Sequence, residues 1–527
     1  MQKTTDVNKR LFCKAMGVAY LAPGRFVQEL PLTWRGVGQA MSLAVQGFNG
    51  GATWSQTLRS RHISNIKISR VRAVIQCTYP TGRPIRDTYF SDNYDFQIGL
   101  ETNYAKAVTA IAPRAMFTFG GSETVHYVAA SPPAGKFIVS DILDLGEGIP
   151  AGQFFGLWTT VENPERQSNK MPYTRSTSNF LERYVGAITN QATQVSQIAS
   201  GAAKTATSVT KATNAKAGVS NYFTPVMLLV ETDSSLPFVY NLSDSIGYGV
   251  GEGVNGSGTD GDGLGSAQSN MGIMERAVHE MLGYNLVNAA KGSDRLEYLA
   301  DSTNWDARRT LLKMGNFTHV ILGDVHNDMY VATSVSKWVS GGTYPKWSVV
   351  SANSNHYIAT TGGTAGATAP GGAESVIADN TVVWAFMQVV PALSTARASS
   401  LIIARMASVV EQIKFAVPGI KVIAMTSTPD AASNNGWIDA IGQSPATYWG
   451  DATSRRAVVD SLIRAKPAYL GIDSYFEPAA ALEDSYPVVT SKWISNGTAN
   501  LVTNDQTHPN SHGYKLAAAT LTADKFV

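Results

Sequence analysis

From Leu236 to the C-terminus, short apolar runs alternate with amphipathic ones, and that rhythm admits few folds. Strands are expected at Phe238–Tyr240, Tyr284–Asn288, Thr318–Gly323, Ile420–Met425 and Tyr469–Tyr475. Helices are expected at Ala267–Leu282, Trp305–Met314, Ser400–Val417, Ser454–Ala465 and Gly513–Asp524. Five such alternations predict a parallel sheet with helices on both faces, because parallel neighbours need crossover connections. Open sheets of this kind place ligands beyond the carboxyl ends of their strands. Ser245 stands at such an end, in the small-residue turn Ser243-Asp244-Ser245 with Gly247, Gly249 and Gly251 behind it, and is the candidate nucleophile.

The N-terminal third reads differently. Val71, Ala73, Ile75 and Cys77 alternate with polar residues, as do Tyr94, Phe96, Ile98 and Leu100, and further strand-like runs lie at Phe137–Val139 and Phe154–Val161. Clusters such as Pro80-Thr81-Gly82 separate them, which predicts an antiparallel β-sandwich, jelly-roll-like, over residues 1–180. Residues 181–235 form an Ala/Thr/Ser-rich segment with a thin apolar stripe at Ile188, Val195 and Ile198. It reads as a solvated helix or connector, or as a helix that self-associates on an oligomer axis, followed by a closing strand at Pro225–Val230. Residues 236–527 then make the α/β domain.

The 527 residues carry 42 Lys+Arg against 40 Asp+Glu, a net charge of +2, without a basic cluster, so no nucleic-acid partner is expected. No stretch is long and apolar enough to span a membrane. Lys14 interrupts the only apolar run near the start, so no signal peptide is expected. Two cysteines, Cys13 and Cys77, are too few for a disulfide framework. Asp260 and Asp262 lie in a Gly-rich loop without the spaced carboxylates of a calcium site, and no Cys/His cluster has metal-ligand spacing. Neither metal nor cofactor is expected.

Near the C-terminus runs Asp505-Gln506-Thr507-His508-Pro509-Asn510, with Gly513 and Tyr514 beyond. An Asp three residues before a His can hold the far imidazole nitrogen, fixing the tautomer that leaves the near nitrogen free to take a serine proton. With these residues the chain resembles the SGNH (GDSL-type) hydrolases, whose sheet is flavodoxin-like. Ser243-Asp244-Ser245-Ile246 matches the first block of that family, with Ser243 where the family has Gly. Asn288-Ala289-Ala290-Lys291-Gly292 matches the second, Gly323-Asp324-Val325-His326-Asn327-Asp328 the third, longer by two residues, and Asp505–Asn510 the last. The resemblance implies Ser245 as nucleophile, His508 as general base and acid, and Asp505 as its orienter. It also implies an oxyanion hole from the backbone N–H groups of Ser245 and Gly292 and the side-chain amide of Asn327. His326 has two readings, substrate contact or structural residue, and His512 reads as a surface residue at a helix start.

Residues 336–390 break the rhythm. Tyr344, Trp347, His356-Tyr357, the turn Thr360–Pro370 and Asp379-Asn380-Thr381-Val382-Val383-Trp384 describe a small β module inserted in the α/β domain. It resembles a module recurrent in bacteriophage tail proteins, and its aromatics read as its own core or as sugar-stacking faces. An SGNH-like domain behind a β-sandwich is similar to carbohydrate esterases that remove acetyl groups from polysaccharides. Together these resemblances imply a serine esterase, a carbohydrate O-acetylesterase acting on O-acetylated polysaccharide. They place it in a homotrimeric phage tail spike beside other virion proteins, or otherwise outside the cell. The alternative is a non-catalytic virion protein that binds glycan through a hydrolase-like fold. A lipid esterase is a third reading, disfavoured because no long apolar lid segment is visible.

Overall fold

The computed structural model describes residues 54–81, 86–90, 93–102, 114–163, 225–251, 272–323, 325–333 and 335–527, with short segments before residue 54 and between 170 and 198. The Gly-rich loop after Gly251, Cys13 and most of the Ala/Thr/Ser-rich segment lie outside these residues.

Five strands form the centre of the α/β domain: β1 (Phe238–Ser243), β2 (Asn285–Asn288), β3 (His319–Gly323), β4 (Lys421–Met425) and β5 (Ser474–Phe476). They lie in the order β2-β1-β3-β4-β5, every pair parallel. That is the flavodoxin-like order, whose switch point falls between β1 and β3. Side chains alternate across the sheet, as the two-residue period demands. Phe238, Tyr240, Leu242, Val320, Leu322, Val422 and Ala424 enter one core, while Val239, Ile321, Ile423 and Met425 enter the other. Every residue of β1 and β3 is buried, as expected of a sheet covered on both faces.

The helices are α1 (Ser245–Tyr248), α2 (Leu296–Ala300), α3 (Asp306–Met314), α4 (His326–Val331), α5 (Ser399–Ala416), α6 (Arg455–Ala465) and α7 (Ser511–Ala518). The apolar stripes of α3, α5 and α6 cover the first core, through Leu311, Ile402, Met406 and Ile463. Tyr514 and Ala517 of α7 cover the second, with Ala277 and Val278 of a helical segment at Glu275–Met281.

Three elements differ from the sequence expectation. Glu275–Met281 is a π-helix, whose wider turn the apolar spacing does not distinguish from an α-helix. Within Tyr469–Tyr475, the segment Ala468–Leu470 is a 3-10 turn ended by Gly471 in the left-handed region, so the strand starts only at Ser474. The final helix stops at Ala518, with a separate 3-10 turn at Ala523–Phe526.

Among the described residues, the N-terminal region contributes two larger antiparallel sheets beside three two-stranded ones. One holds 114–116, 94–101, 154–163, 54–63 and 183–185 in that order, and the other 137–139, 68–76, 227–231 and 34–37. Ile98, Leu100 and Leu157 of the first share a core with Val71, Ala73 and Leu229 of the second. The closing strand appears at Met227–Glu231. In the segment that reads as a helix or connector, Arg183–Val185 and Thr189–Asn190 are strands paired with 54–63.

The N-terminal sheets meet the α/β domain closely. Gly36 N–H donates to Gly315 O at 2.8 Å. A Cβ at Gly36 would lie 2.6 Å from both Met227 and Phe317. Residues 336–390 form a sheet of 336–337, 349–352, 355–361, 382–389 and 377–379, with its own core of Val350, Tyr357, Ala359, Val382 and Trp384. Tyr357 and Trp384 are thus core residues of the module. Among the described residues, no helix is long and apolar enough to cross a membrane.

Ser243 is accommodated by a local exchange of volume. Its Oγ donates to Asn241 Oδ1 at 2.9 Å and fills the place a Cβ on Gly247 would take, 1.7 Å away. Gly247→Ala is expected to destabilise the fold by about 1–3 kcal/mol, the usual cost of overpacking. Ser243→Gly in the same chain should restore most of the loss, as denaturant unfolding of the single and double variants would show.

Candidate active site

Ser245 opens α1 directly after β1. Asp244 is its N-cap: fully buried, with Oδ1 accepting from Ile246 N–H at 2.9 Å. The cap satisfies a donor that the start of a helix otherwise leaves orphaned. Burial pushes the Asp244 carboxyl above its ordinary range, while His326, the Ile246 N–H and His508 pull it back.

His508 arrives from the far end of the chain. His508 Nε2 lies 2.9 Å from Ser245 Oγ, and its Nδ1 lies 2.9 Å from Asp505 Oδ2. Asp505 Oδ1 also accepts from the backbone N–H groups of Thr507 and His508, at 2.7 and 2.6 Å. The carboxylate therefore builds the turn that carries the imidazole and also orients the ring. Burial opposes ionisation of Asp505, but the hydrogen bonds from the His508 ring and these N–H groups outweigh it and hold its carboxyl below the usual range. Gly251 closes over the turn at φ +98°, and a Cβ there would meet Pro509 O at 2.6 Å and His508 Cβ at 2.9 Å.

The other expected residues are nearby in different states. Lys291 N–H donates to Ser243 O at 2.8 Å and Ala290 N–H to Asn288 Oδ1 at 3.0 Å, fixing the loop of Gly292 beside β1. A Cβ on Gly292 would meet nothing within 4 Å, so the loop faces open space. Among the described residues, no acceptor takes the N–H of Ser245 or of Gly292. Asn327 stands next to the nucleophile turn, but its amide is engaged, donating to Asp244 Oδ2 at 3.4 Å and Asp294 O at 3.1 Å. Asp328 accepts from Leu296 N–H at 2.6 Å and Arg405 at 2.8 Å, tying α4 to the helix that follows the Gly292 loop. His512 is exposed on α7.

Sequence reasoning did not find Asp430. Its fully buried carboxylate accepts from Gln506 Nε2 at 2.6 Å through Oδ1 and from the Tyr330 hydroxyl at 2.6 Å through Oδ2. Thr507 Oγ1 approaches Oδ2 at 3.4 Å. Gln506 and Thr507 are the residues between Asp505 and His508, so Asp430 braces the turn of the base from behind. His326 is buried, with Nε2 3.0 Å from Asp430 Oδ2 and its ring 4.7 Å from that of Trp449. Thr428-Pro429-Asp430 resembles an ordinary turn, and nothing in the sequence marks it. Among the described residues, no group of three or more His, Cys, Asp or Glu is arranged to hold a metal ion.

No protein-family model matches the chain, and no curated protein does. Solved structures are similar at low identity. A family two carbohydrate esterase from Clostridium thermocellum matches at 8% identity and a TM-score of 0.31, over 92% of this chain and 97% of its own. A carbohydrate acetylesterase from Sinorhizobium meliloti matches at 10% identity and 0.27, over 54% of this chain and 94% of its own. The periplasmic domain of a lipopolysaccharide acetyltransferase from Salmonella ser. Paratyphi A matches at 12% and 0.28, over 55% of this chain and 83% of its own.

Asp505→Asn should leave the fold intact and slow the labelling of Ser245 by a serine-reactive fluorophosphonate on the order of 10³- to 10⁴-fold, since the wrong tautomer is then favoured. The lowered folded-state pKa of Asp505 contributes stability above the usual carboxylate value of about 3.9. That contribution disappears as pH falls through the lowered value, so the melting temperatures of wild type and Asp505→Asn should converge in acid. Gly292→Ala is expected to melt with the wild type, because its methyl group enters open space and not packed protein.

Proposed function

We propose that this protein is a serine esterase of the SGNH type. The observation that carries the reading is the Ser245–His508–Asp505 relay at the β1/β3 switch point, with both hydrogen bonds at 2.9 Å. Ser245 Oγ attacks the ester carbonyl while His508 Nε2 takes its proton. His508 then gives that proton to the leaving alcohol, and the acyl group remains on Ser245. Water attacks this acyl-enzyme with His508 again as base, releasing the acid and restoring the hydroxyl. The N–H groups of Ser245 and Gly292 receive the developing oxyanion. Asn327 joins them by giving up its long contact with Asp244, and each such donor is worth on the order of 10²–10³ in rate.

The substrate we propose is an O-acetylated cell-surface polysaccharide, and the setting a homotrimeric phage tail spike or related virion protein. This finer reading is supported by the sequence resemblance to carbohydrate esterases joined to a β-sandwich, and by the phage-tail-like inserted module. The test is acetate release from an acetylated polysaccharide by wild type and Ser245→Ala, alongside labelling by a fluorophosphonate. Release and labelling should both vanish in the variant. Glycan binding by a wild type that neither releases acetate nor takes the label would favour the non-catalytic alternative.

A further inference from the structure

Tyr330 inverts the usual posture of a surface tyrosine. Such residues ordinarily bury the ring and offer the hydroxyl to water. Here the hydroxyl points inward to the buried Asp430 carboxylate at 2.6 Å, while the residue as a whole is 41% exposed. Trp449 lies against the ring, with centroids 5.0 Å apart and planes inclined at 34°, and Tyr448 meets it edge-on at 5.9 Å and 82°. The ring is therefore held at its tip and along its side before any ligand arrives. The neighbouring Tyr448 is already covered by the Arg455 guanidinium, 4.1 Å from its centroid.

Its position follows from two independent routes. Tyr330 is three residues beyond Asn327 on α4, on the same helical face and about 4.5 Å further along the axis. Asn327 touches Asp244, which caps the nucleophile turn. By the other route, one carboxylate, Asp430, joins Tyr330 to the residues between Asp505 and His508. The exposed ring thus stands beside the site, spanning the element next to the nucleophile and the turn that carries the base.

We infer that the exposed ring of Tyr330 is the stacking platform for the pyranose that carries the scissile ester. An aromatic face is electron-rich, and a pyranose presents a flat array of polarised C–H groups with its ester and hydroxyl substituents at the rim. A pre-held ring binds such a face without paying to order it. The inference rests on the serine-esterase reading and names the alcohol side of its substrate.

The test compares glucose pentaacetate with vinyl acetate, an acetyl ester without a ring, and reads the ratio of their kcat/KM values. Common changes in the acid–base turn cancel in that ratio. Tyr330→Ala should lower it by about tenfold, through KM for the sugar ester, while Tyr330→Phe and Tyr330→Trp keep it. An unchanged ratio in Tyr330→Ala overturns the inference, as does an equal fall in Tyr330→Phe, which would assign the effect to the hydroxyl. A selective loss with vinyl decanoate in place of the sugar would give the ring to an acyl chain and also overturn it. Should wild type hydrolyse neither ester, the esterase reading fails by itself. Saturation-transfer NMR with glucose pentaacetate then judges the platform: transfer to the pyranose protons in wild type that is lost in Tyr330→Ala supports it, and equal or absent transfer in both rejects it.

Discussion

The carbonyl of Gly247 is the point on which the nucleophile turn depends. Asn241 and Asn288 both donate their side-chain amides to it at 3.1 Å, and Asn241 donates also to Asn288 Oδ1 at 2.8 Å. A helix of one turn leaves its carbonyls without intrahelical partners, and in a buried place each would carry a desolvation cost. Two asparagines on adjacent parallel strands meet that need, and Asn288 is held in turn by the Glu275 carboxylate. Because the network is buried and mutually bonded, it fixes where β1 ends and α1 begins, and so where Ser245 presents its hydroxyl.

The base is positioned by a different economy. Its carboxylate partner is only three residues away, so the Asp505–His508 pair is nearly self-contained, and Asp430 joins it to the body of the domain. Buried Asp244 faces the serine side and buried Asp430 the histidine side, with His326 close to both. The hydroxyl–imidazole contact spans 263 residues of sequence, yet each end is set locally and only the sheet order brings them together.

That division explains what could be read from the sequence. Five alternations of strand and helix imply a parallel sheet, and Ser245, Asp505 and His508 stand in short local patterns whose chemistry is legible without a structure. Strand order is not local: placing β1 between β2 and β3 depends on which crossovers pack, and the apolar runs alone do not choose. Asp430 reaches Gln506 across 76 residues and Tyr330 across 100, and no spacing rule announces such a hub. Asn241 reads only as a residue flanking the apolar strand Phe238–Tyr240, and nothing there announces the carbonyl it meets. Around Arg183 the prevalence of Ala, Thr and Ser does not announce that Arg183–Val185 and Thr189–Asn190 pair with the strand 54–63.

The close approach of Gly36 to Gly315 has a mechanical meaning. Only the stretch 232–237 separates the last N-terminal strand from β1, and Asp87 bonds both Lys136 of the N-terminal region and the first turn of α3. A short tether, a backbone bond and a shared carboxylate join the two parts. A load placed on either part therefore reaches the other through these three ties.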